Sequence, residues 1–257
     1  MARRRNSNRR RRRGSSGFLY KLLSVLVTCA VIVVALTLFF RVETIVVTGT
    51  ERYTQEEVAA ASGLKLGDNL FLLNKPTVNQ RIREALPYVE RVKRINRKLP
   101  DTLLIEVEEC SQPLAVIQDG SAWLISPRGK IVEQRPVSEL EGMGIIDGCQ
   151  LLTPTVGTKI ALATEYKTRE ESLLDLLAAL EEAGLLDQAE AIHLEDPTVL
   201  SMEYAGRFLV EMPYQADYPR KLQALTQAVE QLETNQTGTI QLLREDRYAA
   251  NFIPGTR

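Results

Sequence analysis

Apolar and polar positions are spread very unevenly along this chain. From Leu22 to Phe40 the sequence reads "LLSVLVTCAVIVVALTLFF", with no charge anywhere in the run. At ~1.5 Å of rise per residue such a run nearly covers the ~30 Å hydrocarbon core of a bilayer. A core helix of a soluble domain needs an apolar stripe, not apolar residues on every face. The pattern therefore predicts a membrane-spanning helix over residues 18–40, with Lys21 as its one charge. A cleavable signal peptide is the competing reading. Its apolar region normally runs ~7–15 residues and ends in a small-residue cleavage site, whereas this run is longer and exits through Phe39, Phe40 and Arg41.

Beyond Arg41 the periodicities are those of folded domains, and they begin without a linker. "TIVVTG" (Thr44 to Gly49) is a β-rich run. Thr54-Gln55-Glu56-Glu57 has capping-box spacing, with a hydroxyl for an orphan helix N–H and a Glu that reaches back; Gly63 supplies the stop. Pro76-Thr77-Val78-Asn79-Gln80 repeats the start signal, with Val78, Ile82, Ala85 and Leu86 on one helical face before Pro87. "YVERVKRINRKLP" and "DTLLIEVEE" read as strands around a Pro100-Asp101 turn, and Leu103, Ile105 and Val107 alternate onto one face. The order over residues 42–110 is strand, helix, helix, strand, strand. Arg91, Lys93, Arg94, Arg97 and Lys98 read as a solvated strand face rather than a binding face.

Residues 111–257 read as a second, strand-rich domain with two amphipathic helices, which places the whole in the α+β class. "AWLISPRGKIVE" has hairpin form, with Pro127-Arg128-Gly129 as its turn. Thr168-Arg169-Glu170-Glu171 caps a helix striped by Leu173, Leu174, Leu177 and Leu180 and stopped by Gly184. Strands follow at 189–194, 199–204 and 207–212. Asp217 caps a second helix carrying Leu222, Leu225, Val229 and Leu232. The last expected strand is Thr239-Ile240-Gln241-Leu242-Leu243-Arg244, and the thirteen residues after it carry no further strand pattern. One edge of this strand is therefore expected to be open, and open edges accept a partner strand unless they are blocked.

Charge orients the molecule. Eight of the first thirteen residues are Arg, among them Arg9, Arg10, Arg11, Arg12 and Arg13. Basic residues flanking a membrane helix hold that end in the cytoplasm. Residues 1–17 are thus expected to be a cytoplasmic orientation tail, with everything after the helix outside. Residues 1–40 contain nine Lys+Arg and no acid; of the 32 basic and 33 acidic residues in the chain, 23 and 33 remain beyond them. A net charge near −10 excludes nucleic acid as a partner of the outer part. Polyanion binding by the tail alone is the competing use of the arginines.

Candidate chemistry is sparse. His193 is the only histidine, which excludes two-His metal sites, and a lone His at a strand end, without a nucleophile and an orienter beside it, reads as a structural residue; no metal or cofactor is expected. The adjacent acids Glu108-Glu109 and Glu195-Asp196 point to opposite faces of a strand, so an acid pair would need help from elsewhere. There is no Gly-rich phosphate loop. Cys29 lies within the membrane run; Cys110 and Cys149 lie outside, where a disulfide is permitted but not required. Asn235-Gln236-Thr237 matches a glycosylation sequon and reads as a polar loop.

The β-α-α-β-β unit outside a single membrane helix resembles a POTRA domain, in "VETIVVTGTERYTQEEV", "ALPYVERVKRINRKLPDTLLIEVEE" and "PLAVI". Together with the basic tail, and with "RFLVEMPYQADYPRKLQAL" and "IQLLRED" further on, the chain resembles the bacterial cell-division family FtsQ/DivIB. The resemblance implies a POTRA domain over residues 42–110, a family-type β domain over 111–257, and no catalysis. It implies a bitopic scaffold at the division septum whose partners are FtsL and FtsB/DivIC-type proteins and, through them, the septal peptidoglycan synthase. The expected docking residues are Thr239 to Arg244, with the helix face of Leu222, Leu225 and Val229 as the alternative place. The competing function is a membrane-anchored cell-wall enzyme or glycan-binding sensor, distinguishable by a concave site with converging, perturbed carboxylates.

Overall fold

The fold was analysed in a computed structural model of the 257-residue chain, which describes residues 16–110, 112–140, 142–244 and 250–255. The arginine tail, with Arg9 to Arg13, lies outside the described residues. The chain divides into two compact units, one of Met1–Ile45, Lys65–Leu73 and Asn96–Leu103, the other of Val46–Leu64, Asn74–Ile95 and Leu104–Arg257.

Helix α1 runs from Ser16–Phe39, 24 residues, and its stretch Leu19–Thr37 is long and apolar enough to cross a membrane. No residue of that stretch is buried inside the protein. Its two threonine hydroxyls are satisfied within the helix, Thr28 Oγ1 donating to Ser24 O at 2.9 Å and Thr37 Oγ1 to Val34 O at 2.8 Å. In hydrocarbon a polar group has no other partner.

The elements that follow are β1 (Thr44–Thr48), α2 (Gln55–Ala61), α3 (Lys75–Ala85), β2 (Val89–Lys98) and β3 (Thr102–Glu109), in a three-stranded sheet ordered β1-β3-β2. The expected order of strand, helix, helix, strand, strand is observed. Thr54 and Glu57 form the reciprocal capping box that their spacing predicts. The start of α3 is set one step earlier than expected: Asn74 is its cap, and Pro76 occupies the first turn, where a missing N–H costs nothing. Glu109 closes the loop after β1, its carboxylate accepting from Thr50 Oγ1 and from the N–H groups of Glu51 and Arg52.

A mixed nine-stranded sheet fills the rest of the second unit. Its strands are β4 (Leu114–Gln118), β5 (Ser121–Ile125), β6 (Ile131–Pro136), β7 (Ile145–Asp147), β8 (Ala189–His193), β9 (Val199–Tyr204), β10 (Phe208–Pro213), β11 (Gly238–Gln241) and β12 (Asn251–Pro254), in spatial order β12-β11-β10-β9-β8-β7-β4-β5-β6. Helices α4 (Lys167–Ala183) and α5 (Tyr218–Gln231) are crossovers. The first joins the parallel pair β7/β8, the second the parallel pair β10/β11, as parallel neighbours require. Leu173, Leu176, Leu177 and Leu180 of α4 and Leu222 and Leu225 of α5 pack with Leu200, Met202, Val210, Met212 and Ile240 into one apolar core. Thr168 does not cap α4. That helix starts at Lys167 without a side-chain cap, and Glu170 instead reaches back to the Leu162 N–H at 2.7 Å. Gly184 ends it in the left-handed conformation, as expected.

Candidate partner-binding edge

The carboxyl-terminal edge of the large sheet is built on β10. Its alternating pattern sends Phe208, Val210 and Met212 into the core, and β11 lies parallel beside it in the register Val210↔Ile240. Even-numbered residues on and just after β11 bond inward: Gly238 N–H to Arg207 O at 3.2 Å and Leu242 N–H to Glu211 O at 2.8 Å. Odd-numbered ones face away from β10. They meet β12, which pairs antiparallel in the register Thr239↔Ile253 and Gln241↔Asn251.

This pairing corrects the expectation of an open edge along Thr239 to Arg244. The strand is shorter than expected, ending at Gln241, and its outer side is taken by β12. Ile240 and Leu242 are core residues. Thr239 and Gln241 are half-buried, and Leu243 and Arg244 are exposed beyond the strand, with the Arg244 carbonyl accepting from Lys221 Nζ at 2.5 Å. On the alternative helix face Leu222 and Leu225 are buried, the latter at 0% exposure, and Val229 packs against the same core. An apolar stripe at helical spacing served the core of this domain.

The edge strand at this end of the sheet, among the described residues, is β12. The Gly255 N–H donates to Thr237 O at 2.8 Å, so Asn251, Ile253 and Gly255 turn their backbone groups to β11 and Phe252 turns its N–H and C=O outward. Pro254 has no N–H to offer. Two side-chain contacts hold β12 down. The Phe252 ring meets Phe208 edge-on, centroids 6.2 Å apart. A polar row crosses three strands, Asn251 Nδ2 to Gln241 Oε1 at 3.2 Å and Gln241 Nε2 to Glu211 Oε2 at 3.0 Å. Gly238 makes the close approach possible: a Cβ there would lie 2.2 Å from Ile253 O. No pattern in "NFIP" announces a strand. Its signal is indirect, a glycine at the start of β11 and an aromatic able to reach Phe208.

The residues with catalytic possibilities are occupied elsewhere. Glu108 is held by Arg91 and by Lys93 at 3.4 Å, which together pull its carboxyl down despite partial burial. Asp196 accepts from Thr198 Oγ1 and N and from Val199 N, contacts that lower it too. His193 Nδ1 lies 2.9 Å from Asp147 Oδ1, and its Nε2 faces Glu203 Oε1 at 3.7 Å rather than a hydroxyl. Among the described residues no group of three or more His, Cys, Asp or Glu is placed to hold a metal. Cys110 and Cys149 are free thiols in different apolar clusters, pushed up by burial to about 12 and about 11. The cavity of about 600 Å³ between Pro113, Met143, Leu186 and Glu190 contains Asp187 and Glu190 but no histidine or cysteine.

Residues 40–109 match the FtsQ-type POTRA domain. The chain is 26% identical over 207 residues to the cell division protein FtsQ of Geotalea daltonii, covering 79% of this chain and 71% of that one. It is 27% identical over 176 residues to FtsQ of Corynebacterium glutamicum, covering 65% and 77%. Against the cell division protein DivIB of Clostridium botulinum the identity is 32% over 126 residues, 49% of this chain and 46% of that one. A POTRA unit following an apolar helix, and relatives of one kind reaching well past that unit into the large sheet, agree in making this chain similar to the FtsQ/DivIB cell division proteins over most of its length.

Proposed function

We propose that this protein acts in bacterial cell division as a non-catalytic, single-pass scaffold. Its arginine tail lies in the cytoplasm, its folded part lies outside, and it is concentrated at the septum. It gathers FtsL and FtsB/DivIC-type membrane proteins and through them influences the septal peptidoglycan synthase. The observation that carries the docking part is the outward backbone of Phe252 on β12, an N–H and a C=O with no strand beside them among the described residues. A partner segment in extended form adds a strand there by backbone hydrogen bonds, with side-chain pockets supplying specificity. The relatives bear division names, and the adjacent acids singled out in the sequence, Glu108 and Glu109 and likewise Asp196, are engaged in structural contacts.

The test separates backbone from side chain. Phe252→Ala removes the ring but keeps the N–H; Phe252→Pro removes both. Full-length variants, checked by thermal melting, are assayed for capture of the FtsB/DivIC-type protein. Phe252→Pro is expected to bind at least tenfold more weakly than Phe252→Ala. Equal capture by the two rejects the β12 edge as the docking place.

A further inference from the structure

We propose that the segment Leu66 to Leu72, together with Leu99, is a lipid-facing tip that sits in the interfacial layer of the bilayer entered by α1. The inference rests on α1 being a membrane span. All the residues concerned belong to the first compact unit.

The segment is tied to the very end of the helix. Leu70 N–H donates to Phe40 O at 3.0 Å, Val42 N–H to Asp68 O at 2.8 Å and Gly67 N–H to Val42 O at 2.8 Å. Arg41 and Asn69 form a bridge, and Asn69 Nδ2 reaches Thr37 O, inside the last turn of α1, at 3.3 Å. Consecutive Cα atoms are about 3.8 Å apart, so Leu72 lies within about 8 Å of a residue bonded to Phe40, and Leu66 is next to one bonded to Val42. The polar layer of a bilayer is itself about 5–8 Å thick on each side of the hydrocarbon. With the helix end at the hydrocarbon boundary, these residues lie in that layer or at its outer edge.

Their side chains suit it. Leu66 is 72% exposed and Leu72 79%, while Phe71 and Leu99 are about half exposed. Four large apolar groups standing free on so small a unit is a poor arrangement in water. The Phe71 ring is edge-on to Phe40, centroids 5.0 Å apart, and carries the Arg97 guanidinium 5.7 Å from its centre. Lys65, Arg41 and Lys98 are exposed beside these groups in sequence. Apolar tips with cations on long stems match the acyl-to-headgroup boundary, where the stems lie along apolar surface and the charges meet phosphate.

The chain has one tryptophan, Trp123 on β5, so an added tryptophan reads out its own surroundings over a fixed background. Full-length Leu66→Trp and Leu72→Trp are reconstituted into phosphatidylcholine/phosphatidylglycerol vesicles whose acyl chains are brominated near the ester end. The emission of each added tryptophan is expected to fall at least twofold against unbrominated vesicles and to resist aqueous iodide. Leu26→Trp, within the span, reports on α1 separately. If Leu26→Trp is quenched by bromine while both tip variants are quenched only by iodide, the tip faces water or a protein and the proposal falls. If Leu26→Trp is not quenched, the membrane span itself is rejected.

Discussion

Glu90 shows how a single residue records the cost of burial. Its carboxyl is almost wholly enclosed, and Arg128 lies 3.1 Å away and at the same time 3.2 Å from Glu181. Burial pushes Glu90 above the ordinary carboxylate range, with Glu181 adding to the shift; neither carboxylate oxygen has a hydrogen-bond partner among the described residues, and the charges of Arg128 and Lys130 do not cancel the effect of burial. Lys130 beside it is pushed down to about 8, first by burial and then by Arg83. It remains charged at neutral pH and donates to Arg83 O at 2.6 Å, Val89 O at 3.2 Å and Leu86 O at 3.4 Å. Below the ordinary carboxylate range Glu90 is protonated in both folded and unfolded chains and imposes no penalty. As pH rises toward the raised folded value, the unfolded chain ionises first, and stability declines over that window. Glu90→Gln removes the decline. Its melting temperature relative to wild type is expected to be higher at pH 7 than at pH 4, and a difference independent of pH would show that Arg128 fully compensates the charge.

At the scale of elements, β11 and β12 assign different consequences to neighbouring residues. Leu242 is buried, and its N–H is an internal ladder donor to Glu211 O. Leu242→Pro loses that bond and the packing of the side chain, and is expected to cost about 2–4 kcal/mol. The Gln241 backbone faces β12. Gln241→Pro is expected to keep the melting temperature close to wild type while amide exchange at Asn251 and Ile253 accelerates. Similar losses of melting temperature in both variants would show that β12 is integral to the core rather than an added edge. β12 also shows why short strands are hard to find in a sequence. It has four residues, one of them proline, and its pattern does not alternate. It is a strand because Gly238 lets it approach and Phe208 offers a ring.

For the whole molecule the deciding quantity is charge asymmetry across the apolar run. Residues 1–40 hold nine basic residues and no acid, and the remainder is acidic. An export-dependent reporter fused after Arg257 is expected to be active in the full-length protein. Replacing the eight tail arginines by Gln is expected to lower insertion or mix orientations. Unchanged topology in that variant would assign orientation to the folded outer part instead.

The sequence by itself determined the features that local physics controls. These are a spanning-length helix from an uncharged apolar run, α2 from the Thr54/Glu57 box, α5 from Asp217 and its stripe, β2 and β3 from alternation around a turn, and with them the POTRA order. Tertiary structure decided which apolar surface stays exposed. Nothing local distinguishes Leu222 and Leu225, which vanish under the sheet, from Leu66 and Leu72, which remain outside. A helical stripe marks a face that will be buried but not what buries it, and a strand run shows two edges but not which neighbours claim them. Those choices depend on residues distant in sequence, as when β12 covers β11, and only the folded chain brings them together.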